Sequence, residues 1–333
     1  VLMEKAADVP MPPASMSKLM TVYMAFERLK SGALNLDDKF LVSEKAWRMG
    51  GSKMFVMVNT RVSVADLLRG IIVQSGNDAC IVIAEAISGS EEAFAEDMTR
   101  RAREIGLTDS TFRNATGWPD EGHAMSARDI AIVAGRIVRE FPQYYPLFAE
   151  KYFSYNGIRQ GNRNPLLYKG FGADGLKTGY TDQAGYGFLG TAERDGRRLV
   201  MVVAGADRGQ VRNRAARDFI EWGFDAFDST LLVRRGKPAA TAQVQNGAVD
   251  QLPLVAAQDI RVATPRGDGA RPELTVRYDG PLRAPIAKGE AVATLEIAVP
   301  GMEPSTLPLY AARDVPEAGL FQRIGNGFAG LFR

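Results

Sequence analysis

The sequence predicts a mixed α/β fold of the α+β kind: an antiparallel sheet with helices packed on it, then a small all-β domain and a terminal amphipathic helix. Three observations point there. Apolar residues recur at helical spacing as far as Phe141. The period then shortens to that of strands, with Asp195-Gly196 as a hairpin signal. Beyond Ser229, short β-rich runs alternate with Pro and Gly. The 333 residues suffice for two domains, expected at 1–228 and 229–315, with the helix at 316–333.

Taken in order, Val1 to Glu4 reads as a short strand. Pro12-Pro13 stops any preceding element, and the run from Ser15 to Leu29, apolar at Leu19, Met20, Tyr23, Met24 and Phe26, predicts a largely buried helix ended by Gly32. A looped segment passes Trp47-Arg48-Met49-Gly50-Gly51. Ser63-Val64-Ala65-Asp66 opens a second helix, which breaks at Ser75-Gly76-Asn77 and resumes from Ala79 to Ile87. Ser90 to Ile105 is amphipathic and stopped by Gly106, and Ser126 opens a helix that ends near Phe141-Pro142. Tyr152–Tyr155, Gly185–Ala192 and Leu199–Ala204 read as strands, Gly175 and Gly179 flank another, and Arg212 to Phe227 returns to helical spacing. The β-rich domain shows runs at Ile260–Thr264, Glu273–Tyr278, Ala291–Val299 and Leu307–Tyr310. In the tail, Leu320, Phe321, Ile324, Phe328, Leu331 and Phe332 share one helical side, too short to span a bilayer but suited to its interface or to docking on protein.

Bulk composition excludes several function classes. With 41 basic and 39 acidic residues the net charge is +2, which gives no footprint for nucleic acid. The single cysteine, Cys80, rules out an internal disulfide and cysteine metal clusters, and its apolar neighbours predict a buried structural thiol. The single histidine, His123, rules out multi-histidine metal sites and leaves a Ser-His-Asp triad without a motif. Its setting, Glu121-Gly122-His123, reads as a surface loop. No metal and no cofactor are expected, and hydrolysis would need a base other than histidine. The chain begins at Val1 rather than Met, so a processed or trimmed N-terminus is expected, consistent with secretion.

Ser15 and Lys18 stand three residues apart, so a helical turn brings both side chains to one face. A lysine in apolar surroundings loses basicity and can take a hydroxyl proton. Taken alone, a cap serine and a solvated lysine is the plainer reading of the pair. Ser75-Gly76-Asn77 lies at the helix break, where a tight turn directs a hydroxyl and an amide inward; an N-cap is the plainer reading of Asn77. Lys177-Thr178-Gly179 offers a cation and a hydroxyl able to grip a carboxylate, beside a glycine that admits a close neighbour.

The ordered set Ser-x-x-Lys, Ser-x-Asn, Lys-Thr-Gly resembles the penicillin-binding proteins and class A β-lactamases. Pro-Pro-Ala-Ser-Met-Ser-Lys-Leu-Met, Ser-Gly-Asn-Asp-Ala and Asp-Gly-Leu-Lys-Thr-Gly-Tyr-Thr are similar to the D-alanyl-D-alanine carboxypeptidases, as is the layout over essentially the whole chain. The resemblance implies a β-lactamase/transpeptidase-like domain and a serine acyl transfer. Ser15 would attack the carbonyl between two terminal D-alanines of a peptidoglycan stem peptide. Lys18 would act as base, kept neutral partly by Lys177. Ser75 would relay a proton to the leaving group, and Asn77 would hold Lys18 and the substrate amide. Lys177 and Thr178 would bind the terminal carboxylate, with Gly179 beside it. The backbone amides of Ser15 and Tyr180 would form the oxyanion hole. Arg212 and Arg163 match the family's substrate-binding arginines. Tyr180 stands where many relatives carry His or Thr. β-Lactam antibiotics, a membrane surface reached through the terminal helix, and a bacterial periplasmic location follow from the same resemblance. A β-lactamase, a D,D-endopeptidase and a non-catalytic peptidoglycan scaffold are the alternatives. The chain has Glu121 but not the Glu-x-x-x-Asn pattern of class A β-lactamases.

Overall fold

The computed structural model describes residues 1–319 apart from Asp268 and Ala270. Residues 4–223 form one compact unit, and residues from Phe224 onward, with the first three, form a second.

In the first unit a 3-10 turn, Ala14–Ser17, follows the prolines and runs straight into helix α1, Lys18–Ser31. Ser15 thus lies on the turn, and Lys18 is the first residue of the α-helix. Ten of the fourteen residues of α1 are buried. Tyr23 and Phe26 meet Phe141 edge to face at 5.2 and 5.6 Å. Full burial of such side chains stabilises by about 1.5–3 kcal/mol each. Helices α2 (Glu44–Arg48), α3 (Val64–Gln74), α5 (Glu91–Glu104) and α6 (Ala127–Glu140) each start behind a serine, Ser43, Ser63, Ser90 or Ser126, whose hydroxyl accepts a backbone N–H of the first turn. Between α3 and α4 (Asn77–Ser88), Ser75 adopts a left-handed φ of 60°. Helix α1 touches α3, α4, α5 and α6.

Strands β1 (Lys39–Leu41) and β2 (Arg61–Ser63) pair around the looped segment, and β3 (Tyr152–Tyr155) and β4 (Ile158–Gly161) form a hairpin. The sheet itself consists of β5 (Ala173–Thr181), β6 (Gly185–Arg194) and β7 (Arg197–Ala206), antiparallel in that order. Asp195 and Gly196 form the two-residue turn between β6 and β7, both with positive φ, 51° and 71°. Helix α6 packs on β7, and the turn bearing Ser15 packs on β5 and β6. Helix α7, Gly209–Asp225, follows.

The second unit is all-β. Strands β8 (Phe227–Val233) and β11 (Ile260–Pro265) pair with each other. The remaining strands are β9 (Pro238–Gln245), β10 (Gln251–Val255), β12 (Glu273–Arg277), β13 (Leu282–Arg283), β14 (Ala291–Ala298) and β15 (Ser305–Ala311). They form one sheet in the order β12-β14-β15-β10-β9-β13. Leu252, Leu254, Leu295, Ile297 and Leu309 bury alternate positions of its strands in a common core.

Four readings from sequence are revised. Val1 to Glu4 is irregular and mostly exposed, an apolar run too short to hold itself as a strand. Strand β8 crosses the expected boundary at 228/229, which moves the division between units upstream to 223/224. Val315 and Glu317 bridge to Ile286 and Gly247, so the first residues of the helix expected at 316–333 are not helical; the rest of it, 320–333, lies outside the described residues. His123 is buried rather than on a surface loop, because the Thr111–Ala124 bridge draws its segment inward. Its Nδ1 accepts from the Arg113 amide at 3.2 Å, and its ring meets Phe112 edge to face at 5.7 Å.

Burial pushes the His123 imidazole down to about 4. The unfolded chain therefore takes up a proton near the ordinary value of about 6.5 that the folded chain refuses until about 4. Stability is full above pH 6.5 and falls as pH drops toward 4, by about 3 kcal/mol from this group. His123→Asn, which keeps an acceptor near the Arg113 amide, is expected to lose less stability between pH 6.5 and pH 4 than the parent chain in urea melts.

Candidate active site

Four segments converge on Ser15: its own turn with α1, the break between α3 and α4, strand β5, and a loop around Thr116. The prolines and the turn aim the Ser15 hydroxyl back along α1, and Lys18 Nζ donates to Ser15 Oγ at 2.9 Å. Lys18 is 1% exposed, and its amine also donates to the Thr116 carbonyl. Burial pushes Lys18 down to about 8, with the Arg163 cation pressing the same way and Asp78 opposing it. The carbonyl partner is set by Asn114, whose Oδ1 accepts the N–H groups of Thr116, Gly117 and Trp118.

A second amine–hydroxyl pair faces the first. Lys177 Nζ donates to Ser75 Oγ at 2.9 Å and to the Thr178 carbonyl at 3.1 Å. Lys177 and Ser75 are 4% and 2% exposed. Lys177 is held well below the ordinary lysine range, first by burial and then by the charges of Lys18 and Arg163. Asn77 departs from expectation: its side chain donates to the Gly50 carbonyl at 2.9 Å, and its N–H reaches Ser52 O at 2.8 Å. Lys18 is held by Thr116 instead. Lys18 and Lys177 also act on each other, the Lys18 charge helping to hold Lys177 down, and Arg163 presses on both.

Strand β5 lies so close to the Ser15 turn that a side chain at Gly179 would have to push its neighbours back by a few tenths of an ångström. A Cβ there would lie 3.0 Å from the Pro13 carbonyl oxygen and 3.2 Å from both Ala14 Cβ and Met16 Cγ. The close approach brings Thr178 and the Tyr180 backbone alongside Ser15. The Tyr180 side chain turns outward, donates to Asp182 Oδ1 at 2.6 Å, and lies 4.2 Å from the Tyr186 ring. Arg212 sits over Tyr186 at 5.9 Å with its guanidinium on Asn213 Oδ1, and its charge reaches Lys177. Arg163 donates to Ser52 Oγ at 2.7 Å. Cys80 is fully buried with its thiol pushed up to about 12 by burial, a structural group as read from the sequence.

The structure thus gathers all ten residues singled out in the sequence and adds Thr116, Asp78 and the Gly50–Ser52 segment. Thr116 carried a faint signal: Asn-x-Thr-Gly has the composition of an Asx turn. Its long-range partner could not be read from the chain.

The family model for D-alanyl-D-alanine carboxypeptidase matches residues 1–208, and that for the C-terminal domain of penicillin-binding protein 5 matches residues 227–317. The chain belongs to the D-alanyl-D-alanine carboxypeptidases. The carboxypeptidase DacA of Haemophilus influenzae is 37% identical over 320 residues, which covers 94% of this chain and 81% of that one. The crystal structure of penicillin-binding protein 5 from the same organism aligns at a TM-score of 0.81 with 36% identity, over 94% of this chain and 93% of that one. Penicillin-binding protein D2 of Listeria monocytogenes, solved in its ampicillin-bound form, aligns at 0.61 with 30% identity, over 67% and 91%. This carboxypeptidase is a hydrolase with an α/β catalytic unit and an all-β second unit.

Gly179→Ala requires β5 or the Ser15 turn to give by a few tenths of an ångström. Since a displacement of about 1 Å at a reacting group costs about 100-fold, release of D-alanine from a D-Ala-D-Ala peptide is expected to fall by about 3- to 10-fold, with little change in melting temperature.

Proposed function

We propose that this carboxypeptidase removes the terminal D-alanine from peptidoglycan stem pentapeptides through an acyl-enzyme on Ser15, with Lys18 as the base. The observation that carries this reading is the buried Lys18 amine, pushed down to about 8 and hydrogen-bonded to Ser15 Oγ at 2.9 Å. A nucleophile and a weakened base at hydrogen-bond distance is the arrangement that hydroxyl activation requires.

In the proposed sequence, Ser15 Oγ bonds to the carbonyl carbon as its proton passes to Lys18 Nζ. The N–H groups of Ser15 and Tyr180 receive the oxyanion, a contribution of about 3–4 kcal/mol per donor in other enzymes. The C–N bond then breaks as the proton held on Lys18 passes through the Ser75 hydroxyl to the departing D-alanine amine, which leaves Lys18 neutral again. Thr178, next to Gly179, and Arg212 take the terminal carboxylate, while Asn77 and Arg163 line the acyl side. Water then attacks the ester carbonyl, its proton passing to Lys18 and on to Ser15 Oγ as the C–O bond breaks, which frees the acid and restores Ser15. Penicillin, which presents a strained amide to the same serine, is expected to acylate it and leave slowly, since the glutamate pattern of class A β-lactamases is missing. Residues 4–223 carry this chemistry, and the β-unit serves as support. The bacterial relatives favour a periplasmic location at the outer face of the cytoplasmic membrane, with the apolar tail beyond Gly319 as a surface anchor.

Lys18 must be neutral to act, so D-alanine release should rise with pH and level off above about 8, falling tenfold per unit below it. Mass spectrometry after exposure to penicillin should show an adduct in the parent chain and none in Lys18→Arg, whose guanidinium stays protonated. An adduct persisting in Ser15→Ala would overturn the assignment. The tail is tested separately: the full chain should sediment with vesicles of anionic phospholipid, and a chain ending at Gly319 should not. Equal binding by both would remove the anchor.

A further inference from the structure

Asp78 follows Asn77 and is 1% exposed, and the mechanism above makes no use of it. Its carboxylate accepts the N–H groups of Met54, Phe55 and Val56 at 3.0, 2.9 and 3.2 Å, and that of Ala79 at 2.9 Å. Three successive loop amides converge because Phe55 takes a left-handed φ of 69°. Gly76 leaves room for the cradle, since a Cβ there would lie 2.9 Å from Asp78 Oδ1 and 3.2 Å from Met54 N. The near end of the same loop serves the active site. Gly50 O receives the Asn77 side chain, Ser52 O receives the Asn77 amide, and Ser52 Oγ receives Arg163.

Asp78 also lies within electrostatic reach of the Lys18 amine. The groups acting on Lys18 are Cys80 from α4, Arg163, and Asp78, and among these Asp78 is the carboxylate. Within the same reach of Asp78 itself are Lys18 from α1, Cys80 from α4 and Tyr155 from β3.

We propose that Asp78 is a positioning residue for the carboxypeptidase reaction: its carboxylate ties the loop 50–56 to α4, so setting Asn77 and Arg163, and supplies the buried negative charge that acts on Lys18. A loop held by three charge-assisted hydrogen bonds has little freedom to drift, and an anion within electrostatic reach of a buried amine tempers the loss of basicity that burial imposes. The inference rests on Ser15 and Lys18 acting as proposed above.

Asp78→Asn keeps the shape but turns an NH₂ group toward amides that need an acceptor, and it removes the charge. D-Alanine release and acylation by penicillin are both expected to fall about 100-fold. The acid limb of kcat/KM is expected to move to lower pH, because Lys18 loses that anion. Asp78→Glu keeps the charge with the wrong reach, so its rate should fall while its acid limb stays near that of the parent. An Asp78→Asn chain that reacts at the parental rate overturns the proposal, as does a slow one whose acid limb has not moved. If Asp78→Asn does not fold, Asp78→Glu decides: a parental rate overturns the proposal, and a slowed rate on an unmoved limb supports it. A parent chain without a Ser15 adduct would overturn the acyl-enzyme reading. An adducted parent with an equally reactive Asp78→Asn would overturn this proposal alone.

Discussion

A lysine amine buried to 1% exposure beside a serine hydroxyl is the constraint from which the catalytic unit can be derived. A charged amine in such a place would be very costly, and a neutral one without partners would still cost about 1–3 kcal/mol. The fold meets both conditions with two acceptors, Ser15 Oγ and the Thr116 carbonyl, while burial keeps the charge in check. Each acceptor has its own scaffold. The prolines and the 3-10 turn present Ser15, and the Asn114 side chain folds the backbone so that Thr116 O points inward.

Placement of the other groups follows from how closely backbones approach one another there. Strand β5 abuts the Ser15 turn at Gly179, and the α3–α4 break abuts the loop at Met54 through Gly76. Both glycines belong to the motifs themselves, so the motif spacing records packing as much as chemistry. The apolar body of α1 then ties the turn to four other helices, which turns local geometry into a rigid site.

The elements that were legible in the sequence are those governed by local rules. Serine caps, the break at Ser75-Gly76-Asn77 and the Asp195-Gly196 hairpin each depend on a few neighbouring residues. His123 and Thr116 were not legible as they stand, because burial of the first and the inward carbonyl of the second are set by chain segments far away in sequence. The Asn77 partner was misjudged for a related reason. A side-chain amide next to the motif serine Ser75 invites a lysine partner, but the loop carbonyl of Gly50 reaches it first. Strands β1 and β2 were hidden because three residues are too few to show a period.

The two lysine–serine pairs look alike in distance, and what separates their tasks is the surrounding charge. Lys177 stands near Lys18, Arg163 and Arg212, so its environment is the more cationic and its amine is pressed further toward neutrality. A substrate carboxylate set between Thr178 and Arg212 would reverse that pressure, since a nearby anion favours the charged amine. A proton drawn to Lys177 in this way adds a cation close to Lys18 and makes the Lys18 amine still less basic. Under the proposed mechanism, binding of the terminal carboxylate is then itself part of activating Ser15, and a peptide lacking that carboxylate loses rate as well as affinity.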